Sequence, residues 1–139
     1  MASYVWVLLL FAGWTLAVLI GSVGVHRWSQ ILTGRSQVRD FRSDRVEGPD
    51  WYRRAMRAHA NCVENLPVYG AIVVAALAAH AGSARLDQLA AVILAARIAQ
   101  SVIHIVFAET NTAVAARFTF FAVQLVCFVW MGILVAAAA

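Results

Sequence analysis

The sequence predicts an all-α integral membrane protein, a single domain over residues 1–139 built as a four-helix bundle. Composition is the first observation behind this: 63% of the residues are hydrophobic and only 13% are charged. The second is that several apolar runs reach the roughly 20 residues a helix needs to cross a bilayer. The third is that one long polar segment follows the first run, which leaves room for about four spans and one loop but no second soluble domain. All 11 basic residues are arginine, and guanidinium grips carboxylates and phosphates bidentately where lysine offers a point charge. The net charge of +4 therefore points to anion binding as well as to topology. Little exposed soluble surface remains to carry interleaved basic and aromatic residues, which argues against a nucleic-acid partner.

The spans are expected at about 4–26, 51–81, 88–108 and 113–137. The first runs without a charge from Tyr4 to His26, lacks the basic start of a signal peptide, and has Trp6 and Trp28 near the two headgroup levels. Leu32-Thr33-Gly34 closes its helix. From Arg27 to Pro49, Arg27, Arg35, Arg39, Arg42 and Arg45 alternate with Asp40, Asp44, Glu47 and Asp50. Weighed against the single Arg85 of the opposite side, these arginines place the loop in the cytoplasm and both termini outside it. Most of them are read as serving topology and lipid headgroups; Arg35, directly after the first helix, is singled out for a ligand. Gly82 to Asp87 is a short outer turn and Glu109 to Thr112 a tight polar one on the inner side. Cys62 and Cys127 fall inside spans and read as small apolar fillers. His59 and Glu64 are spaced poorly for two ligands on one helix face, so no metal is expected.

Polar residues enter the spans as stripes. On the second helix Arg57, Asn61 and Glu64 stand at i, i+4 and i+7, one face carrying a cation, an amide and a carboxylate. A carboxylate at bilayer depth costs several kcal/mol, so Glu64 must face protein, water or a ligand. Pro67 leaves the carbonyl of Val63 without its helical partner one turn on and predicts a kink. On the third helix Arg97, Ser101 and His104 share a face, with Gln100 adjoining. Arg97 lies some 15 Å from the outer end at about 1.5 Å per residue, a depth close to that of Glu64. An Arg97–Glu64 pair is the expected way to bury both, as a packing device or as part of a site. On the fourth helix Arg117 occupies the first turns with Gln124 at i+7. Arginines for carboxylates and a buried acid for an ammonium describe a pocket at the loop end of the bundle, suited to a small zwitterion with more than one carboxylate.

The run Arg57-Ala58-His59-Ala60-Asn61-Cys62-Val63-Glu64, with Pro67 shortly after, resembles the R-A-x-x-N-x-x-E signature of the membrane-associated proteins in eicosanoid and glutathione metabolism (MAPEG). The resemblance covers the whole chain, including the Arg97-Ile98-Ala99 start of the third-helix stripe. It implies a homotrimer of four-helix subunits with glutathione bound between neighbours. It also implies a transferase or peroxidase activity in which the thiol is the co-substrate and attacks hydrophobic electrophiles or lipid hydroperoxides. Arg57, Asn61 and Glu64 would hold the peptide, with Arg35, Arg97, Gln100 and His104 contributing to the same thiol site, and Arg117 would stabilise the thiolate, with Arg35 as its rival. His104 stands where family enzymes carry tyrosine, and Gln100 where one synthase has histidine.

A lysine-free, alanine- and arginine-rich chain points to a bacterial inner membrane, where another small thiol can take the place of glutathione. Two alternatives belong to other classes. One is a lipid-binding scaffold on the same fold, against which the joint presence of Arg57, Asn61, Glu64 and Arg117 speaks. The other is a small four-helix transporter, in which a lone carboxylate without an arginine in reach would be expected.

Overall fold

The computed structural model describes residues 2–41 and 46–139, so Arg42, Asp44 and Arg45 of the polar loop lie outside the described residues. The described residues are helical, with four helices long and apolar enough to cross a membrane: α1 (Ser3–Leu32), α2 (Asp50–Ala78), α3 (Ala84–Val106) and α4 (Asn111–Ala138). The chain is thus a multi-pass integral membrane protein. Successive helices run antiparallel; α1 packs on α2 and α3, and α4 packs chiefly on α3.

The hydropathy of α1 ends before its helix does. After Ser3–Val18 the backbone loosens into a π-helical stretch, Leu19–Gly24, and returns to α geometry over Val25–Leu32. This last stretch carries His26, Arg27, Ser29 and Gln30, and Gly34 stops it at φ 74°, where glycine carries no Cβ penalty. In α2 the helix passes Pro67 unbroken. The third helix begins earlier than its apolar pattern, because the Ser83 side chain accepts from the Leu86 amide at 3.2 Å and so caps the start at Ala84. Thr110 caps α4 in the same way, accepting from the Ala113 amide at 3.1 Å.

One face of each helix is buried. On α2 the buried stripe is Ala55, Ala58, Cys62, Asn65, Tyr69, Val73 and Ala76, at three- or four-residue spacing. Tyr69 stacks on Phe11 with ring centroids 6.1 Å apart and donates to the Tyr4 carbonyl at 2.6 Å. Tyr4 in turn donates from its hydroxyl to the Ala81 carbonyl at 2.9 Å, and its amide donates to Asp87 at 3.0 Å, so the start of α1 is fastened to the α2–α3 turn.

The opposite end is fastened by aromatic rings. His26 lies against Tyr52, Trp51 and Phe41 at centroid distances of 4.2, 5.4 and 6.3 Å. Arg27 donates from Nε to the Tyr52 hydroxyl at 2.9 Å and lies over the Phe41 ring. Gly48 passes directly beside this cluster at φ 148°, and a Cβ there would stand 2.8 Å from Tyr52 Cδ1 and 3.4 Å from His26 Nε2. Tyr52 is almost wholly buried and has nowhere to retreat. Gly48→Ala is therefore expected to cost about 1–3 kcal/mol, from backbone strain and the clash together, read as a lowered thermal midpoint in detergent.

Candidate functional site

Where α2, α3 and α4 meet at the polar-loop end, a cleft of about 310 Å³ opens between them, lined by Arg57, Asn61, Gln100, His104, Val114, Arg117, Phe118 and Phe121. Five of these are residues that the polar stripes single out. Arg57 and Asn61 come from consecutive turns of α2, Gln100 and His104 from consecutive turns of α3, and Arg117 from the second turn of α4. The antiparallel arrangement brings these turns to one level.

The polar groups are held in different ways. Gln100 is fixed: Gln124, fully buried on α4, donates from Nε2 to Gln100 Oε1 at 2.9 Å and to the Phe120 carbonyl at 3.0 Å. Arg54, one turn before Ala58, donates from Nε to the Ile105 carbonyl at 3.2 Å, which satisfies an end carbonyl of α3 and ties α2 to α3 at the rim. The His104 side chain is buried, and neither ring nitrogen has a hydrogen-bond partner. Arg117 is only 16% exposed at its side chain, so its guanidinium faces the cleft from within the protein.

Glu109 is the residue that the sequence reading missed. It sits in the α3–α4 turn, and its Oε1 lies 2.5 Å from Arg57 Nη1 and 4.0 Å from Arg117 Nη1. One carboxylate thus stands between the two arginines at the mouth of the cleft. It also lines, with Asp50, Arg53, Arg54, Arg57 and Ala108, an adjoining polar cleft of about 350 Å³. No periodicity could have found it, because a turn residue has no helical phase. The apolar wall of Val114, Phe118 and Phe121 had a signal, since these positions share a helix face with Arg117.

Three residues of the expected site stand elsewhere. Arg35 is exposed beyond the end of α1 and does not line the cleft. The Arg97–Glu64 pair is not formed within the chain. Arg97 is fully buried and none of its three side-chain nitrogens has a hydrogen-bond partner; its guanidinium lies over the Phe11 ring at 5.7 Å. Glu64 is close enough to act on it through space but is exposed and makes no ion pair among the described residues. Helix phase is the reason. Arg57, Asn61 and Glu64 each precede a residue of the buried α2 stripe by one position, which turns them about 100° away from the bundle centre, where Arg97 lies.

These features define the class: a polytopic helical membrane protein with a cleft at one end of the bundle into which two arginines turn. The family model of the MAPEG family matches residues 4–137, and the chain belongs to that family of membrane proteins of eicosanoid and glutathione metabolism. No curated protein and no solved structure matches it.

Proposed function

We propose that this protein is a membrane-bound thiol transferase or peroxidase, which binds glutathione or another low-molecular-weight thiol in the α2–α3–α4 cleft. It delivers the sulfur as thiolate to an apolar electrophile or a lipid hydroperoxide. The observation that carries this reading is the convergence of Arg57, Asn61, Gln100, His104 and Arg117 on one cleft. The more exposed guanidinium, that of Arg57, suits a carboxylate of a small peptide, and Asn61 and Gln100 suit its amides. A free thiol has a pKa of about 8.5, and a cation in a partly desolvated pocket lowers it by a unit or more, which makes thiolate plentiful near neutrality. Arg117 is assigned that task because it is the less exposed of the two arginines. Val114, Phe118 and Phe121 form an apolar side along which a second substrate dissolved in the bilayer reaches the sulfur.

Glu64 and Arg35 enter this reading through assembly. A carboxylate exposed on the side of a spanning helix is costly in lipid, so the Arg57–Asn61–Glu64 face is taken as the contact surface of a homotrimer. There Glu64 receives the ligand's ammonium, and Arg35 reaches the ligand from a neighbouring copy. Arg97 holds the packing behind the site. The setting proposed is a bacterial inner membrane, with both termini on the non-cytoplasmic side.

The deciding experiment is conjugation of glutathione to chlorodinitrobenzene by the purified protein in liposomes, with thiol binding followed by calorimetry. Saturable binding with turnover supports the reading. Lipid binding without any thiol binding replaces it with a lipid-binding protein on the same fold. Glu109 supplies a further check, because its carboxylate competes with the ligand's for Arg57 and Arg117. Its pair with Arg57 is exposed and so is worth about 0.2–1 kcal/mol. Glu109→Gln is accordingly expected to tighten glutathione binding by no more than about five-fold, measured by calorimetry at low salt.

A further inference from the structure

Histidine 104 is the one cleft residue whose side chain is nearly all buried and wholly without a protein partner. Its exposure is 6%, and both Nδ1 and Nε2 lack a hydrogen bond. A buried polar group left so is costly, and native structures satisfy nearly all such groups. Its neighbours show that satisfaction was available: Gln100, one turn away, is held by Gln124, and Ser101 donates to the Arg97 carbonyl at 2.9 Å. His104 instead points into the cleft with nothing fixing its tautomer.

Neutral imidazole always has one N–H and one free lone pair. Because no protein group holds either nitrogen, an acceptor nitrogen is available to whatever enters the cleft in either tautomer. The charged groups that face the ring are Arg54 and Arg57 from α2, Glu109 from the α3–α4 turn and Arg117 from α4. Of these only Glu109 can take a proton, and it is engaged with Arg57. A thiol entering between Arg57 and Arg117 therefore meets one neutral base.

We propose that His104 is a catalytic residue, the acceptor of the thiol proton. This deepens the thiol-transfer reading and rests on it. The S–H bond breaks, its electron pair stays on sulfur, and the proton passes to the free imidazole nitrogen while Arg117 faces the developing thiolate. The thiolate then forms a C–S bond to the electrophilic carbon. In a displacement, the leaving group departs with its bonding pair and the imidazolium gives its proton to water. In an epoxide opening, the alkoxide takes that proton back. Arginine and histidine thus divide the work, the cation stabilising the anion and the imidazole moving the proton.

The test uses the full-length protein in liposomes, with glutathione and chlorodinitrobenzene. His104→Gln keeps a polar side chain but cannot take a proton. It is expected to bind glutathione within a few-fold of wild type and to lose about ten- to 30-fold in kcat at pH 7, the limit set by the few per cent of a free thiol that is ionised there. Its rate should climb with pH where the wild type has levelled off, since solution ionisation of the thiol must then replace the histidine. His104→Ala opens space beside the cleft, and added imidazole should restore part of its turnover in proportion to dose. If His104→Gln turns over within a few-fold of wild type on an unchanged pH profile, the proposal is overturned while the transferase reading stands. The same holds if binding and rate fall together and imidazole restores nothing. If the wild type binds no thiol or conjugates none, both fall.

Discussion

Replacing Arg117 with leucine is expected to lower turnover by roughly 30- to 1000-fold while the Kd for glutathione stays within a few-fold. Loss of a charge-assisted contact made mainly to a developing anion is worth about 2–4 kcal/mol of transition-state stabilisation. The ligand's ends are held elsewhere, by Arg57 and Asn61 in the cleft, so the ground state loses little. Arg117 is also the better enclosed of the two arginines, with a side-chain exposure of 16% against 55% for Arg57, and a cation acts more strongly where water is scarce. In the mutant the ultraviolet absorbance of bound thiolate should appear only at higher pH. Arg35→Leu is the control: an unchanged Arg117→Leu beside an impaired Arg35→Leu would transfer the activating role to Arg35.

Replacing Glu64 with leucine has an outcome whose sign depends on assembly. In a lone chain its carboxylate is exposed on a spanning helix, and its removal would be a gain of up to about 2.5–3.5 kcal/mol on insertion scales. In the proposed homotrimer the same change removes the acid that receives the ligand's ammonium and leaves Arg97 without the one carboxylate acting on it through space. The expected result is loss of thiol binding by at least ten-fold, together with a lower yield of oligomer by light scattering in detergent. Glu64→Gln, which keeps shape and hydrogen bonding, should lose binding with less effect on assembly. A Glu64→Leu protein that is more stable and binds thiol normally would remove Glu64 from the site.

The bundle was legible because its signals are local. Apolar run length located four spans, and the Arg27 to Pro49 loop was marked by composition alone. The cleft was legible for a related reason. Stripes at i, i+4 and i+7 name residues that share a face whatever the helix packs against, and Arg57 with Asn61, and Gln100 with His104, are such neighbours.

Spacing within one helix does not say how that helix is rotated against its neighbours. The expected Arg97–Glu64 pair is not formed for this reason: Glu64 lies about 100° off the buried stripe that runs through Cys62 and Asn65. Arg35 follows the end of α1, a helix that contributes no residue to the cleft, and so position after a helix does not bring it to the site. Glu109 belongs to a turn, and its contact with Arg57, 52 residues away in sequence, exists only once α2, α3 and α4 are packed.

The central claim is that the cleft binds a small thiol peptide through Arg57 and Asn61 and ionises its sulfur. Thiolate absorbance measured during a glutathione titration of the liposome-embedded protein at neutral pH tests both parts at once. The account predicts a saturable rise in the wild type that is abolished in an Arg57→Leu, Asn61→Leu double mutant of normal thermal stability. A wild type that shows no saturable rise, or a double mutant that shows the same one, would contradict it.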